Sequence, residues 1–227
     1  MKHTEQELIA LRSEINQMWQ LVLSQVEKAK QAYFNHDAEL AREVISREKR
    51  VDAFELKIDS DGENYIALFS PVAIDLRLVL SLIKISSMLE RIADFAESIA
   101  RQVIENEPHD LDREKWEELM EELRLEQMFD LVISMLCDSF VALESENAKL
   151  SGKIIAKDEE VDEIYHNALY VLTKYMQANT NQILSGLKTL LLIRKIERIG
   201  DHCSNIVEEI VFYIDAKVLK HAGIRNK

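Results

Sequence analysis

The stretch Glu90-Arg91-Ile92-Ala93-Asp94 decides how this chain is read, because it returns 107 residues later as Glu197-Arg198-Ile199-Gly200-Asp201. Apolar residues surround both copies with a helical period. Ile85, Leu89, Ile92, Ala96 and Ile99 fall in register on Leu192, Ile196, Ile199, Cys203 and Ile206. Such spacing marks one buried face of an amphipathic helix. A second match precedes the first: Arg47-Glu48 followed by Val51-Asp52 corresponds to Lys157-Asp158 followed by Val161-Asp162, 110 residues on. One match could be a coincidence of charges, but two collinear matches on corresponding helices argue for internal duplication. The three-residue difference falls between the motifs, where the Phe69-Ser70-Pro71 link lies.

Outward from these motifs, breaker residues and apolar periodicity predict six long helices. They run over about 4–35, 37–61, 72–105, 113–150, 151–178 and 182–222, the second stopping near Gly62 and the fourth near Ser151-Gly152. Asn106, Pro108 and the acidic run to Asp112 form the longest punctuation, and Asn179-Thr180-Asn181 breaks the last two helices. Wide apolar stripes joined by short connections fold as antiparallel neighbours. The fold class is therefore all-α: two tandem three-helix bundles related by duplication, spanning residues 1–107 and 108–227.

Composition agrees. The 227 residues are 47% hydrophobic and 30% charged, with only 5 Gly and 2 Pro, too few turn residues for an all-β or doubly wound α/β chain. A net charge of −13 disfavours nucleic acid and anionic lipid as partners. The longest uncharged run, Tyr175–Leu187, is 13 residues and rich in Gln, Asn and Thr. A membrane span needs roughly 18, so no insertion is expected. The opening MKHTEQELIALRSE shows no signal peptide, and two separated cysteines suit a reducing compartment. The chain reads as cytoplasmic.

Each repeat carries two acid-x-x-x-Asp pairs: Glu48/Asp52 with Glu90/Asp94, and Asp158/Asp162 with Glu197/Asp201. Four residues is about one helical turn, so each pair projects from one face. Many other such pairs, such as Glu118/Glu122, lie in a charge-dense stretch and read as a solvated face. These differ in position. Asp158 occupies a core slot of the stripe Ile154, Val161, Ala168, Leu172, and Glu48 the equivalent slot of Val44, Val51, Ile58. A carboxylate inside an apolar stripe is costly unless satisfied by protons, basic partners or a cation. Oxygen-only ligands favour hard or borderline cations such as magnesium, manganese or iron, with carboxylate-bridged multinuclear sites among the options. Arg91 and Arg198 would then support the ligands from behind. The other reading is an interhelical ion-pair network without metal, and the residues alone leave both open.

The remaining chemistry-bearing residues add little. His202 has Phe95 at its repeat position, and Glu163-Ile164-Tyr165-His166 is a single Glu-x-x-His where di-iron bundles need two. Trp19, Trp116 and the methionines sit at helical spacing and read as core or docking surface, not as a ligand box. No phosphate-binding glycine loop, zinc-type cysteine set or nucleophile elbow is present. Nothing resembles a catalytic nucleophile with its base, so no enzymatic activity is expected.

At the repeated Glu-Arg-Ile-x-Asp the chain resembles the PhoU family of phosphate-transport regulators. The likeness extends over length, helix number, duplication and motif order, and includes Pro71-Val72-Ala73-Ile74-Asp75-Leu76-Arg77 and Asp201 with Asn205-Ile206. Two departures stand out: Asn205 has Ser98 in the first copy, and Asp75-Leu76-Arg77 has Gln182-Ile183-Leu184 in the second. The resemblance implies two three-helix bundles about a pseudo-two-fold axis. It implies iron or zinc clusters on Glu48, Asp52, Glu90, Asp94, Asp158, Asp162, Glu197 and Asp201, with Asn205 beside them and no organic cofactor. It also implies a homodimer that negatively regulates high-affinity phosphate uptake, linking an ABC-type phosphate transporter, through its ATPase subunit, to a sensor histidine kinase. A carboxylate-bridged metalloenzyme and a metal-free helical scaffold are the alternatives.

Overall fold

The computed structural model describes residues 2–105 and 113–216. Among the described residues seven α-helices form: α1 (Lys2–Asn35), α2 (Ala38–Phe69), α3 (Ala73–Glu105), α4 (Arg113–Glu122), α5 (Leu125–Glu144), α6 (Ser151–Ala178) and α7 (Ile183–Asp215). Two single-turn 3-10 segments, Ala148–Leu150 and Thr180–Gln182, precede α6 and α7. Helices α1–α3 make one bundle, and α5–α7, preceded by α4, make the other. The expected division at 107/108, with Pro108, lies outside the described residues.

Four expected boundaries are corrected. Helix α2 does not stop near Gly62 but runs on to Phe69, where Ser70 caps it in the left-handed region (φ 45°) and donates its N–H to the Ile66 carbonyl. Gly62 is buried, and a Cβ there would stand 2.7 Å from Ile83 Cδ1. The glycine thus permits close approach of α2 to α3 and is no helix stop. The expected fourth helix breaks at Arg124 (φ 53°). Unbroken, it would place Leu123 and Leu125 about 200° apart, with only one facing inward. The break buries both, at 1% and 0% exposure. The next stop comes at Glu144, before Gly152, which lies inside the first turn of α6. Helix α7 ends at Asp215, capped by Ala216 (φ 55°), short of the expected residue 222.

The core residues named from the repeat are all fully buried: Ile85, Leu89, Ile92, Ala96 and Ile99 on α3, and Leu192, Ile196, Ile199, Cys203 and Ile206 on α7. They belong to one continuous apolar core that runs through both bundles. Helices α3 and α7 cross antiparallel. At one end Ser81 Oγ donates to the Glu209 carbonyl and Arg77 Nε to that of Tyr213; at the other, Gln102 Nε2 donates to that of Lys188. Phe95 and His202, equivalent by the 107-residue repeat, stack with ring centroids 5.9 Å apart. Equivalent residues meet only on a local two-fold axis, so the axis relating the repeats passes between these rings. Helices α1 and α5 are likewise antiparallel, through Arg12–Glu146, Trp19 Nε1 to the Leu136 carbonyl, and Lys30–Asp130. No helix is long and apolar enough to cross a membrane among the described residues.

Candidate metal centres

The acid pairs of each repeat meet across two helices. Val44, Val51 and Ile58 are buried on α2, which fixes the rotation of that helix. Glu48 and Asp52 consequently lie at the rim of the α2–α3 seam. On α3 the buried Leu89, Ile92, Ala93 and Ala96 place Glu90 and Asp94 on the same rim. Burial, then the charges of Asp52, Glu97 and Asp94, raises the Glu48 carboxyl above its ordinary value. Burial foremost, then Asp94, pushes Glu90 up to about 7, with Glu55 and Asp52 adding to the push and Arg91 opposing it. Four expected carboxylates are therefore gathered, together with Glu55 and Glu97, which sequence reasoning missed. Both lie a helical turn from the motifs, at Asp52+3 and Asp94+3, and that spacing was a readable signal.

The second repeat gathers Asp158, Asp162, Glu197 and Asp201 in the same way on α6 and α7. Burial pushes Asp158 up to about 6, aided by the charges of Asp162 and Asp201 and opposed by a hydrogen bond from Ser204. Ser204 Oγ donates to Asp158 Oδ2 at 2.8 Å. Burial and Asp201 also raise Asp162, and burial, Asp201 and Asp162 raise Glu197. Asp158 Oδ1 is buried with no hydrogen-bond partner. A Cβ on Gly200 would come within 3.0 Å of that oxygen, so the glycine leaves a hollow beside it. Sequence reasoning missed both Ser204 and the use of Gly200.

Arg91 pairs with Asp94 at 3.2 Å and Glu90 at 3.5 Å, and Arg198 with Asp201 at 3.6 Å, each along its own helix. Asn205 is exposed on α7. His166 Nδ1 meets the Asp162 carbonyl on its own helix at 2.7 Å. Cys203 is buried and Cys137 half-buried, both as free thiols held up in pKa by burial. Trp19 and Trp116 take part in the packing, Trp19 fully buried. Among the described residues, no three His, Cys, Asp or Glu side chains converge at distances that would hold a metal ion. The donor set nonetheless suits a hard cation: it is all oxygen, its carboxylates repel one another, and one buried oxygen lacks a partner.

Fold and site define a duplicated helical-bundle protein with an acidic cluster on each half. The PhoU domain profile matches residues 15–103 and 125–210, and the chain belongs to the PhoU family. It is 35% identical to the phosphate-specific transport system accessory protein PhoU of Edwardsiella tarda, over 98% of this chain and 90% of that protein. The crystal structure of PhoU from Pseudomonas aeruginosa superposes with a TM-score of 0.83 at 30% identity, covering 94% of this chain and 99% of the other. The phosphate transport system regulatory protein PhoU from Streptococcus pneumoniae gives 0.82 at 28%, covering 95% and 99%.

Proposed function

We propose that this chain is a non-enzymatic regulator of phosphate uptake, acting in the cytoplasm as a homodimer. It holds an ABC-type phosphate transporter, through its ATPase subunit, in functional contact with a sensor histidine kinase, and so restrains uptake when phosphate is plentiful. The near full-length likeness to a protein named as the accessory protein of the phosphate-specific transport system carries this reading. The chemistry is consistent with it. A protein of net charge −13 with no glycine-rich anion nest is a poor direct binder of phosphate, so it senses the ion through its partners. Deleting the gene should release a phosphate-starvation reporter in phosphate-rich medium, and the wild-type gene should restore repression. A reporter that stays repressed in the deletion overturns the reading. Docking of the acidic surface onto basic partner faces should weaken with salt, read as loss of the transporter ATPase from a pull-down.

Within this reading the two carboxylate clusters hold metal. Glu48, Asp52, Glu90 and Asp94 would hold one centre, and Asp158, Asp162, Glu197 and Asp201 the other, with Arg91 and Arg198 pairing their outer oxygens. A bound cation would supply positive charge that relieves the mutual repulsion of the carboxylates. The orphaned Asp158 Oδ1 supports this most directly. The in-helix pairs of Arg91 and Arg198 favour instead a metal-free scaffold. Elemental analysis of protein purified without chelator separates the two. Metal lost in part with Asp94→Ala and further with Asp201→Ala supports the centres, and metal absent from the wild type supports the scaffold.

A further inference from the structure

The duplication gives each surface of one bundle a counterpart on the other, so a departure between counterparts is informative. On α1 and α2 the exposed and half-buried residues Asn16, Gln17, Gln20, Ser24, Arg47 and Arg50 line a shallow open groove of about 460 Å³. The 110-residue register maps them onto Glu126, Gln127, Asp130, Ser134, Lys157 and Glu160 of α5 and α6. The geometry follows the register: Arg47 Nη1 donates to Ser24 Oγ, and Lys157 Nζ donates to Ser134 Oγ. The charge does not. The first set holds two arginines and no carboxylate, and the second holds one lysine and three carboxylates.

The second face is neutralised from within. Lys30 reaches Asp130 at 2.6 Å and Glu126 at 3.4 Å, Arg124 reaches Glu160 at 3.4 Å, and Lys157 is paired with Asp138 at 2.6 Å. The first face is not. Arg47 is shared with Glu43 and Ser24, while Arg50 lies over the Phe54 ring at 5.9 Å and pairs with no carboxylate among the described residues. Gln17 turns one amide N–H toward its own helix, at Ser13. The groove is thus an uncharged-to-basic strip on a protein of net charge −13.

We propose that this α1/α2 groove docks an acidic peptide segment of a partner protein. Its shape and chemistry favour a peptide over other anions. From Ser13 to Ser24 it runs about 16 Å along α1, the span of about five extended residues. Its amides donate and accept, as peptide groups require, while Arg47 and Arg50 at one wall supply charge-assisted donors for Asp or Glu side chains. A free inorganic anion would need donors converging in a pocket, and this strip is open. An anionic membrane is a broad surface that would also meet the carboxylates outside the groove, whereas a short extended segment stays within a lining that holds none. The inference goes beyond the phosphate reading and does not depend on it.

The test is fluorescence anisotropy on the full chain, with a fluorescein-labelled peptide of about ten residues rich in Asp and Glu, and a Lys-rich peptide of equal length as control. The acidic peptide should bind, more weakly as salt rises, and the basic one should not share its site. Arg50→Glu, which copies Glu160, should weaken binding about tenfold, and Gln20→Asp, which copies Asp130, by several-fold. Arg50→Lys should retain most of it. Lys153→Glu, on the other bundle, should leave it unchanged. Unaltered circular dichroism checks that each variant folds, and Arg50→Gln replaces any that does not. No binding, binding indifferent to Arg50→Glu and Gln20→Asp, or equal loss with Lys153→Glu overturns the proposal. So does displacement of the peptide by inorganic phosphate beyond that by chloride at equal ionic strength, which would assign the groove to a free anion. Arg50-dependent binding to phosphatidylglycerol vesicles in place of the peptide would assign it to a membrane and overturn it equally.

Discussion

The acidic cluster on α2 and α3 and its counterpart on α6 and α7 occupy the same register, yet they satisfy their carboxylates differently. In the first half the acid is the longer Glu48, residue 93 is an alanine, and Glu97 adds another negative charge. In the second half Asp158 is shorter, Gly200 stands where Ala93 does, and Ser204 replaces Glu97 and donates a hydrogen bond. Duplication thus preserved the gathering of acids, while local substitutions set how each group is held. The first cluster depends more on protons or counter-charge, and the second has a hydroxyl donor but leaves one oxygen orphaned.

The strongest way to break the comparison is through the shared core. Ile92 and Ile199 are repeat equivalents, both fully buried, on helices that pack against each other. Ile92→Ala and Ile199→Ala should each destabilise the protein by about 2–5 kcal/mol. Because one core runs through both halves, each variant should melt in a single calorimetric transition. Two transitions, with only the mutated half shifted, would show that the halves are independent.

The next effect concerns a position where the repeats disagree. Gly62 corresponds to the buried Leu172 in the 110-residue register. Gly62→Leu copies the second half into the first and should overpack Ile83 on α3, lowering stability by about 1–3 kcal/mol, read from the urea midpoint. An unchanged midpoint would mean that the α2–α3 spacing relaxes freely. This residue also marks where the sequence misleads. A glycine followed by polar residues looks like a helix stop, but the deciding contact is with Ile83, which lies 21 residues away in the chain. Arg124 misleads in the opposite sense. Nothing local between Glu121 and Leu125 signals a break, and only the demand to bury Leu123 and Leu125 together forces it. By contrast, the two bundles and the meeting of the acid pairs were legible, because apolar period and four-residue spacing fix the rotation of each helix. The lone pair on Asp158 Oδ1 and the Ser204 hydrogen bond were not, because they depend on side-chain reach across two helices.

Titration sharpens the comparison of the clusters. Glu90 is held at about 7 against an ordinary 4.5, and Asp158 at about 6 against 3.8. In both cases the native state binds the proton more tightly than the unfolded chain. The associated stability is fully present below the ordinary value and is lost as pH rises through the native one. Chelator-treated protein should therefore lose stability from about pH 4 to pH 7, with the second cluster responding before the first. Glu90→Gln should remove the upper step and Asp158→Asn the lower, each about 1 kcal/mol after allowance for solvent screening. Melting temperatures across that range test it, and stability that rises with pH would contradict the assignment.

The smallest expected difference lies in the two arginines. Arg91 touches both Glu90 and Asp94, whereas Arg198 is paired with Asp201 alone, and both side chains are about half exposed. Exposed pairs are worth about 0.2–1 kcal/mol, so Arg91→Ala and Arg198→Ala should each fall in that range. Arg91→Ala should be the larger by a few tenths, since Arg91 lies within 3.5 Å of two carboxylates, whereas Arg198 meets Asp201 at 3.6 Å and acts on Glu197 from further off. Arg91 is also the group that holds the Glu90 carboxyl down against burial and Asp94. Removing it should move the pH midpoint of the upper step further upward, and combining it with Glu90→Gln should abolish that movement. A double-mutant cycle in urea at pH 8, where Glu90 is charged, reads the coupling directly. Equal and additive effects of the two arginines would mean that the clusters, despite Glu97 in one and Ser204 in the other, present the same electrostatic environment to their own helices.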